Sequence, residues 1–230
     1  DGTQAGSDGG NGGSGGNAVL TSGGAAVGGF GAVGGSAGAG GTAGVNGTDG
    51  TPAPVYVIPV GNGPTGVAVN PDGDSAYTAN NYSGSLSVID TATNTVSATV
   101  GIGFSPIPVA VNSAGTRVYA GNDYAGTVSV INAATNAVIS TINVGGVSDT
   151  ARALAVNPVL DRLYVVDNRN DRIRLVDTSS NTIVGNVSVG DLPSGVAVNP
   201  AGTRVYVSNL GSGTISVIDT GSNTVVATVT

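Results

Sequence analysis

The residues able to do chemistry in this chain are few, and many of them collect in one stretch. Seven arginines and 14 acidic residues give a formal net charge of −7, and there is no Cys, His, Met, Trp, Lys or Glu. Every acid is therefore an aspartate and every base an arginine. This removes thiolate and Schiff-base nucleophiles, an imidazole base, and His or Cys metal ligands. Five of the seven arginines lie between Arg152 and Arg174. Arg152, Arg169 and Arg172 are forked donors of the kind that hold a carboxylate, sulfate or phosphate, with Asp149 and Asp171 beside them. The competing expectation is an Arg/Asp network that solvates a hairpin or pins two β modules, worth only about 0–1 kcal/mol per surface pair. Asp167, Asn170 and Asp171 offer oxygens to Ca²⁺, but the stretch lacks the loop glycine and bidentate glutamate of a strong calcium motif. No metal or cofactor is expected. Tyr82 and Tyr124, 42 residues apart, are candidates of a second kind, aromatics suited to stacking on a sugar or peptide.

These residues sit in a repeat that must position them. Asn70, Asn112, Asn157 and Asn199 mark one phase of it; Tyr77, Tyr119, Tyr164 and Tyr206 mark a second; Asp90, Asn132, Asp177 and Asp219 mark a third. All three sets step by 42, 45 and 42 residues. A period of about 40–50 residues made of short β-rich runs predicts propeller blades. Four strands are predicted per copy, near 65–70, 75–80, 85–90 and 95–100 in the first. The first strand reads Val67-Ala68-Val69, Val109-Ala110-Val111, Leu154-Ala155-Val156 and Val196-Ala197-Val198. A near-continuous apolar run with a small central residue predicts a strand buried on both faces, with the alanine facing a crowded axis. Asn-Pro-Asp-Gly and its variants predict the turn after it, and Asp-Thr-Ala-Thr-Asn with its variants the turn after the third strand. There a side-chain acceptor stands near an αL-tolerant Asn. The three extra residues of the long step fall in the segment carrying Asp149 and Arg152, on the blade face where the strand-two/three hairpin also emerges. Insertion and charge therefore converge on one face of one blade.

The chain is expected to divide into a glycine-rich segment at 1–50, a proline linker at 51–54, and propeller repeats over 55–230. More than half of the 40 glycines lie in the first segment. Its composition predicts a flexible linker, and the three-residue spacing of its Gly-Gly doublets offers a threefold extended helix as the alternative. Blades are expected at about 61–100, 101–144, 145–189 and 190–230, with 55–60 an extra outer strand. Since the fourth copy already has its own last strand, the four copies predict an open arc of a larger ring rather than a closed one. The chain is accordingly expected to be a piece of a longer protein. An open arc leaves edges and apolar faces that invite self-association.

Tyr77-Thr78-Ala79-Asn80, Tyr119-Ala120-Gly121-Asn122, Tyr164-Val165-Val166-Asp167 and Tyr206-Val207-Ser208-Asn209 resemble the YVTN repeat of bacterial and archaeal surface β-propellers. The GGN-GGS-GGN triplets and the GTAGVNGTDGTPAP exit resemble the glycine-rich region of mycobacterial PE-PGRS proteins. The first resemblance implies a ring of about seven blades, lactonase-like in form, and an extracellular or cell-surface setting. The expected function is a non-catalytic recognition scaffold that binds a protein or glycan partner. One alternative is a lactonase-like metal-dependent hydrolase, but such sites usually use Glu and His, which are absent. DNA binding is a further alternative; the acidic balance disfavours it, so no nucleic-acid partner is expected. No apolar run approaches the roughly 20 residues that span a bilayer, so no transmembrane segment is expected.

Overall fold

A computed structural model describes residues 57–145 and 150–230, and the chain divides into two units, 1–57 and 58–230. The glycine-rich stretch, the proline linker and Asp149 lie outside the described residues. The second unit is built of four antiparallel four-stranded sheets in chain order. The first holds β1 (Pro64–Val69), β2 (Ser75–Asn80), β3 (Ser85–Asp90) and β4 (Thr95–Gly101). The second holds β5 (Pro106–Val111), β6 (Arg117–Asn122), β7 (Thr127–Asn132) and β8 (Ala137–Asn143). The third holds β9 (Leu154–Val156), β10 (Arg162–Asp167), β11 (Arg172–Asp177) and β12 (Thr182–Ser188). The fourth holds β13 (Pro193–Val198), β14 (Arg204–Asn209), β15 (Thr214–Asp219) and β16 (Thr224–Val229). No ladder joins the first sheet to the fourth among the described residues, so the blades form an open propeller arc.

Local chemistry fixes each blade. Asn112 Oδ1 accepts from the backbone N–H groups of Thr116 and Arg117, and Asn199 Oδ1 from those of Thr203 and Arg204, closing the turn between the first two strands. Asp90, Asn132, Asp177 and Asp219 each accept from backbone N–H groups two or three residues on. Asn94, Asn136, Asn181 and Asn223 then take φ between 53° and 56°, a left-handed conformation that asparagine tolerates better than most residues. A bulge recurs between the third and fourth strands of every blade, at Val88/Ile89, Val130/Ile131, Leu175/Val176 and Val217/Ile218. The repeat in sequence is thus a repeat in hydrogen bonding.

The core lies between blades, not within one. Tyr77, Leu86 and Val88 of the first blade pack on Val118, Ala120 and Ile131 of the second. Tyr119, Val128 and Val130 pack on Leu163, Val165 and Val176 in the same way, and Tyr164, Ile173 and Leu175 on Val205, Val207 and Ile218. Each fully buried aliphatic side chain contributes about 1.5–3 kcal/mol. Every blade therefore has a tyrosine face and a receiving face, and the tyrosine faces of the first three blades are each covered by the receiving face of the next.

Two expectations need correction. The first strands are not buried on both faces: β1 alternates between exposed and half-buried, and Ala197 is exposed. In β5, β9 and β13 only the valine or leucine face packs on a neighbouring blade, while the alanines lie on the other face; in β1 Val67 and Val69 stay exposed. The crowded residue is instead Gly66, where a Cβ would lie 2.1 Å from the carbonyl oxygen of Ile107 on the adjacent inner strand. The outer strand expected at 55–60 does not form over 57–60, which carries no ladder. A strand exists only with a hydrogen-bonded partner, and no described segment pairs with it. Residues 55 and 56 lie outside the described residues.

Candidate recognition face

Each hairpin between the second and third strands is bonded to the link that enters its own blade. Asn81 N–H donates to Gly63 O at 2.8 Å, Asp123 N–H to Ser105 O at 3.0 Å, and Leu210 N–H to Leu192 O at 3.0 Å. Hairpins also reach the link of the next blade. Asn81 Nδ2 donates to Ser105 Oγ at 2.9 Å and Pro106 O at 3.2 Å, and Asn168 Nδ2 donates to Pro193 O at 2.7 Å. Hairpins and links therefore share one face, bonded across the first and third blade junctions.

That face carries the exposed aromatics. Tyr82 is 85% exposed and Tyr124 is 60% exposed, at equivalent hairpin positions. Phe104, on the link into the second blade, and Leu210, on the fourth hairpin, are exposed on the same face. Tyr82 lies against Gly63, where a Cβ would come within 2.6 Å of its ring. Of the remaining described tyrosines, Tyr77, Tyr119 and Tyr164 are buried between blades, and Tyr206 holds the same position on the fourth.

The arginines expected to act together are divided. In the first, second and fourth blades a buried asparagine closes the second strand and its amide donates to two hydroxyls of the third. Asn80 donates to Ser85 and Ser87, Asn122 to Thr127 and Ser129, and Asn209 to Thr214 and Ser216, at 2.9–3.1 Å. In the third blade all three positions change together. Asp167, fully buried, replaces the asparagine, and Arg172 and Arg174 replace the two hydroxyl residues. Arg172 Nε donates to Asp167 Oδ2 at 2.7 Å, Arg174 Nε lies 3.5 Å from the same oxygen, and Asn170 Nδ2 donates to both carboxylate oxygens. Arg172 is thus tied to Asp167 and half-buried, and the Asp167 oxygens are engaged by Arg172, Arg174 and Asn170 rather than turned toward a metal ion. Asp171 is a turn residue: it takes φ 50° after the short 3₁₀ turn Asn168–Asn170, and its Oδ1 accepts from Leu192 N–H at 2.8 Å. The other three blades place Gly84, Gly126 and Gly213 at this position, all with positive φ.

Arg152 and Arg169 remain on the recognition face. Arg152 Nη1 lies 3.7 Å from Asp123 Oδ2, with its own side chain 48% exposed, and Arg169 is exposed on the third hairpin. Asp123 was not singled out by its sequence, yet it is only 7% exposed, and its Oδ1 accepts no hydrogen bond among the described residues. Burial pushes its carboxyl above the usual range, opposed by the charges of Arg152 and Arg169. One sign was available: Asp123 stands where the first and third blades have Asn81 and Asn168, so a donor has become an acceptor. Phe104 and Leu210 gave no such sign, because their repeat positions hold unlike residues in the other copies.

No protein-family model matches the chain, and no curated protein does. Among solved structures, the chain is similar to a Kuenenia stuttgartiensis hydrazine synthase chain, with a TM-score of 0.69 and 24% identity over 78% of this chain. The aligned part spans about half of that chain, 52% of its length. The likeness shows the fold alone. No helix among the described residues is long and apolar enough to cross a membrane.

Proposed function

We propose that this protein is a non-catalytic recognition scaffold whose hairpin-and-link face binds a protein or glycan partner at the bacterial cell surface. The observation that carries this reading is the unequal distribution of aromatics. Tyr82, Phe104 and Tyr124 all stand exposed on that face, while the turns at the opposite ends of the strands hold no aromatic residue among the described residues. Exposed aromatics supply large, rigid contact area at small entropic cost. Arg152 and Arg169 add a cationic patch on an otherwise acidic protein, which favours a partner with carboxylate or sulfate groups beside its apolar or sugar surface. The hydrogen bonds between hairpins and links hold these side chains on a rigid base, which limits the ordering cost of binding. The YVTN-like repeat and the PE-PGRS-like segment support a surface setting by resemblance.

The test compares binding of the labelled full chain with that of a Tyr82→Ala/Phe104→Ala/Tyr124→Ala variant, on intact bacterial cells and on arrayed cell-wall glycans. The expected result is a loss of binding of tenfold or more with an unchanged melting temperature, since all three side chains are exposed. Equal retention of both proteins would refute the reading.

A further inference from the structure

At one junction between blades a side chain that recurs elsewhere is exchanged, and a cleft lies beside it. The second, third and fourth blades carry an arginine two residues before the repeat tyrosine, at Arg117, Arg162 and Arg204, whereas the first carries Ser75. Arg117 shows what such an arginine does when another blade follows. Its Nη1 donates across the junction to the backbone carbonyl of Thr178 in the third blade, and its charge acts on the buried Tyr119 hydroxyl. Arg162 acts in the same way on Tyr164, which is buried between the third and fourth blades. Both arginines are half-buried.

The junction between the first and second blades holds instead a cleft of about 360 Å³. Asn70, Asp74, Ser75 and Tyr77 line it from the first blade, and Thr116 and Ala133 from the second. Ala133 holds the position of Thr178, whose carbonyl receives Arg117. Asp74 is the one charged residue in the lining. Its Oδ1 accepts from Asn70 Nδ2 at 2.7 Å and from Ser75 Oγ at 2.9 Å, and no hydrogen bond or ion pair among the described residues engages Oδ2. The charge beside the tyrosine is therefore reversed. Burial raises the Tyr77 phenol, a hydrogen bond with Ser75 opposes this, and the Asp74 carboxylate raises it further, where Tyr119 and Tyr164 each have a cation.

We infer that this cleft binds the guanidinium group of an arginine side chain carried by a ligand. The adjacent junction is the template, because there a guanidinium lies beside the tyrosine and bonds the carbonyl that Ala133 O matches here. A planar fork of donors suits a carboxylate oxygen and a carbonyl oxygen together better than a compact ammonium does. The group comes from outside the four blades: no arginine precedes Arg117 in the sequence, and Arg117 is itself engaged at the next junction. The cleft opens among the turns at the ends of the strands opposite the hairpins, so the inference does not rest on the recognition reading.

The experiment is an NMR titration of the full chain with acetyl-arginine methylamide, a probe with one guanidinium and no other charge. The expected dissociation constant is about 1 mM, the scale for a ligand of this size in an open cleft, with saturable shifts at the amides of Asp74, Ser75, Thr116 and Ala133. The citrulline counterpart, neutral and close in shape, binds about tenfold more weakly or worse, and Asp74→Asn weakens the arginine probe to a similar degree. Ser75→Arg copies the other three blades and places the chain's own guanidinium in the cleft, so it abolishes binding and keeps the fold. A parallel titration with L-arginine separates the free amino acid from a peptide arginine as the source; saturation of the cleft by either supports the inference. Absence of saturable shifts at these residues up to about 10 mM of both probes, equal binding of the citrulline compound, or undiminished binding to Asp74→Asn or Ser75→Arg would each overturn it.

Discussion

Asp123→Asn should stabilise this protein, although it removes an ion-pair partner. Asp123 is buried, one of its oxygens accepts no hydrogen bond, and the other lies 3.7 Å from Arg152, too far for a hydrogen bond. With Arg152 half exposed, that pair contributes about 0–1 kcal/mol. An asparagine there can donate across the blade junction as its counterparts do, Asn81 to Ser105 and Pro106, and Asn168 to Pro193. The acceptors at the equivalent places are the Thr150 hydroxyl and the Ala151 carbonyl. One such bond contributes about 0.5–1.5 kcal/mol, and removing an unsatisfied buried acceptor relieves about 1–3 kcal/mol. Because an asparagine keeps one amide oxygen in the same site, the relief is taken at its low end, and after subtracting the ion pair the net gain is about 1–2 kcal/mol at neutral pH. For a unit of this size that is a rise in melting temperature of about 2–8 °C. The pH dependence supplies a second readout. The folded-state pKa of Asp123 is raised, so its contribution to stability is greatest when it is protonated and is lost as pH rises through that value. The advantage of the variant therefore opens as pH rises and closes toward about pH 3. Calorimetry of both proteins across that range checks it. A variant that melts lower at neutral pH, or a gap that does not change with pH, would refute the reasoning.

Three further outcomes follow from the same contacts. Arg172→Ala leaves Asp167 short of its closest cation in a fully buried site and should cost about 3–5 kcal/mol in chemical denaturation, whereas the combined change Asp167→Asn/Arg172→Ser/Arg174→Ser, which copies the first blade, should recover most of that loss. Gly66→Ala drives a methyl group into the Ile107 carbonyl between the first two inner strands and should cost about 1–3 kcal/mol, read as a lower urea midpoint. Hydrogen bonds from Ser179 and Ser180 hold the Asp177 carboxyl at about 2, so its contribution is present above the unfolded-state value near 4 and is lost as pH falls toward 2. Asp177→Ala should therefore lower the melting temperature at neutral pH and make little difference near pH 2.

The architecture was legible because it is written in turns. Asn70, Asp90 and Asn94 and their counterparts announce a period and a local conformation at once, and neither depends on distant contacts. The inner strands were misread because Val-Ala-Val says that two side chains are apolar, but not which face a neighbouring blade covers. The arginine cluster was legible only in part, for a related reason. Sequence spacing brings Arg152, Arg169 and Arg172 close along the chain, while the ladder pairing Asp167 with Arg172 commits one of them to a buried carboxylate. Repeat alignment alone could have revealed that split, since Asp167, Arg172 and Arg174 change as a set against Asn80, Ser85 and Ser87. Asp123 was legible in the same way, as a single departure from Asn81 and Asn168. The exposed Phe104 was not, because nothing in an apolar residue states that it points outward.

The charged substitution in the third blade also bears on how the chain reaches its native order. Tandem modules this similar are prone to exchange hairpins while folding, since a strand from one can find an acceptable mate in another. Asp167 laid against the hydroxyl residues of the first or second module would bury a charge with no cation beside it, and Arg172 or Arg174 laid against Asn80 or Asn122 would do the same with the opposite sign. One hairpin out of four can therefore mate only with itself. It acts as a punctuation mark in a repetitive text, fixing the reading frame from which its neighbours are counted.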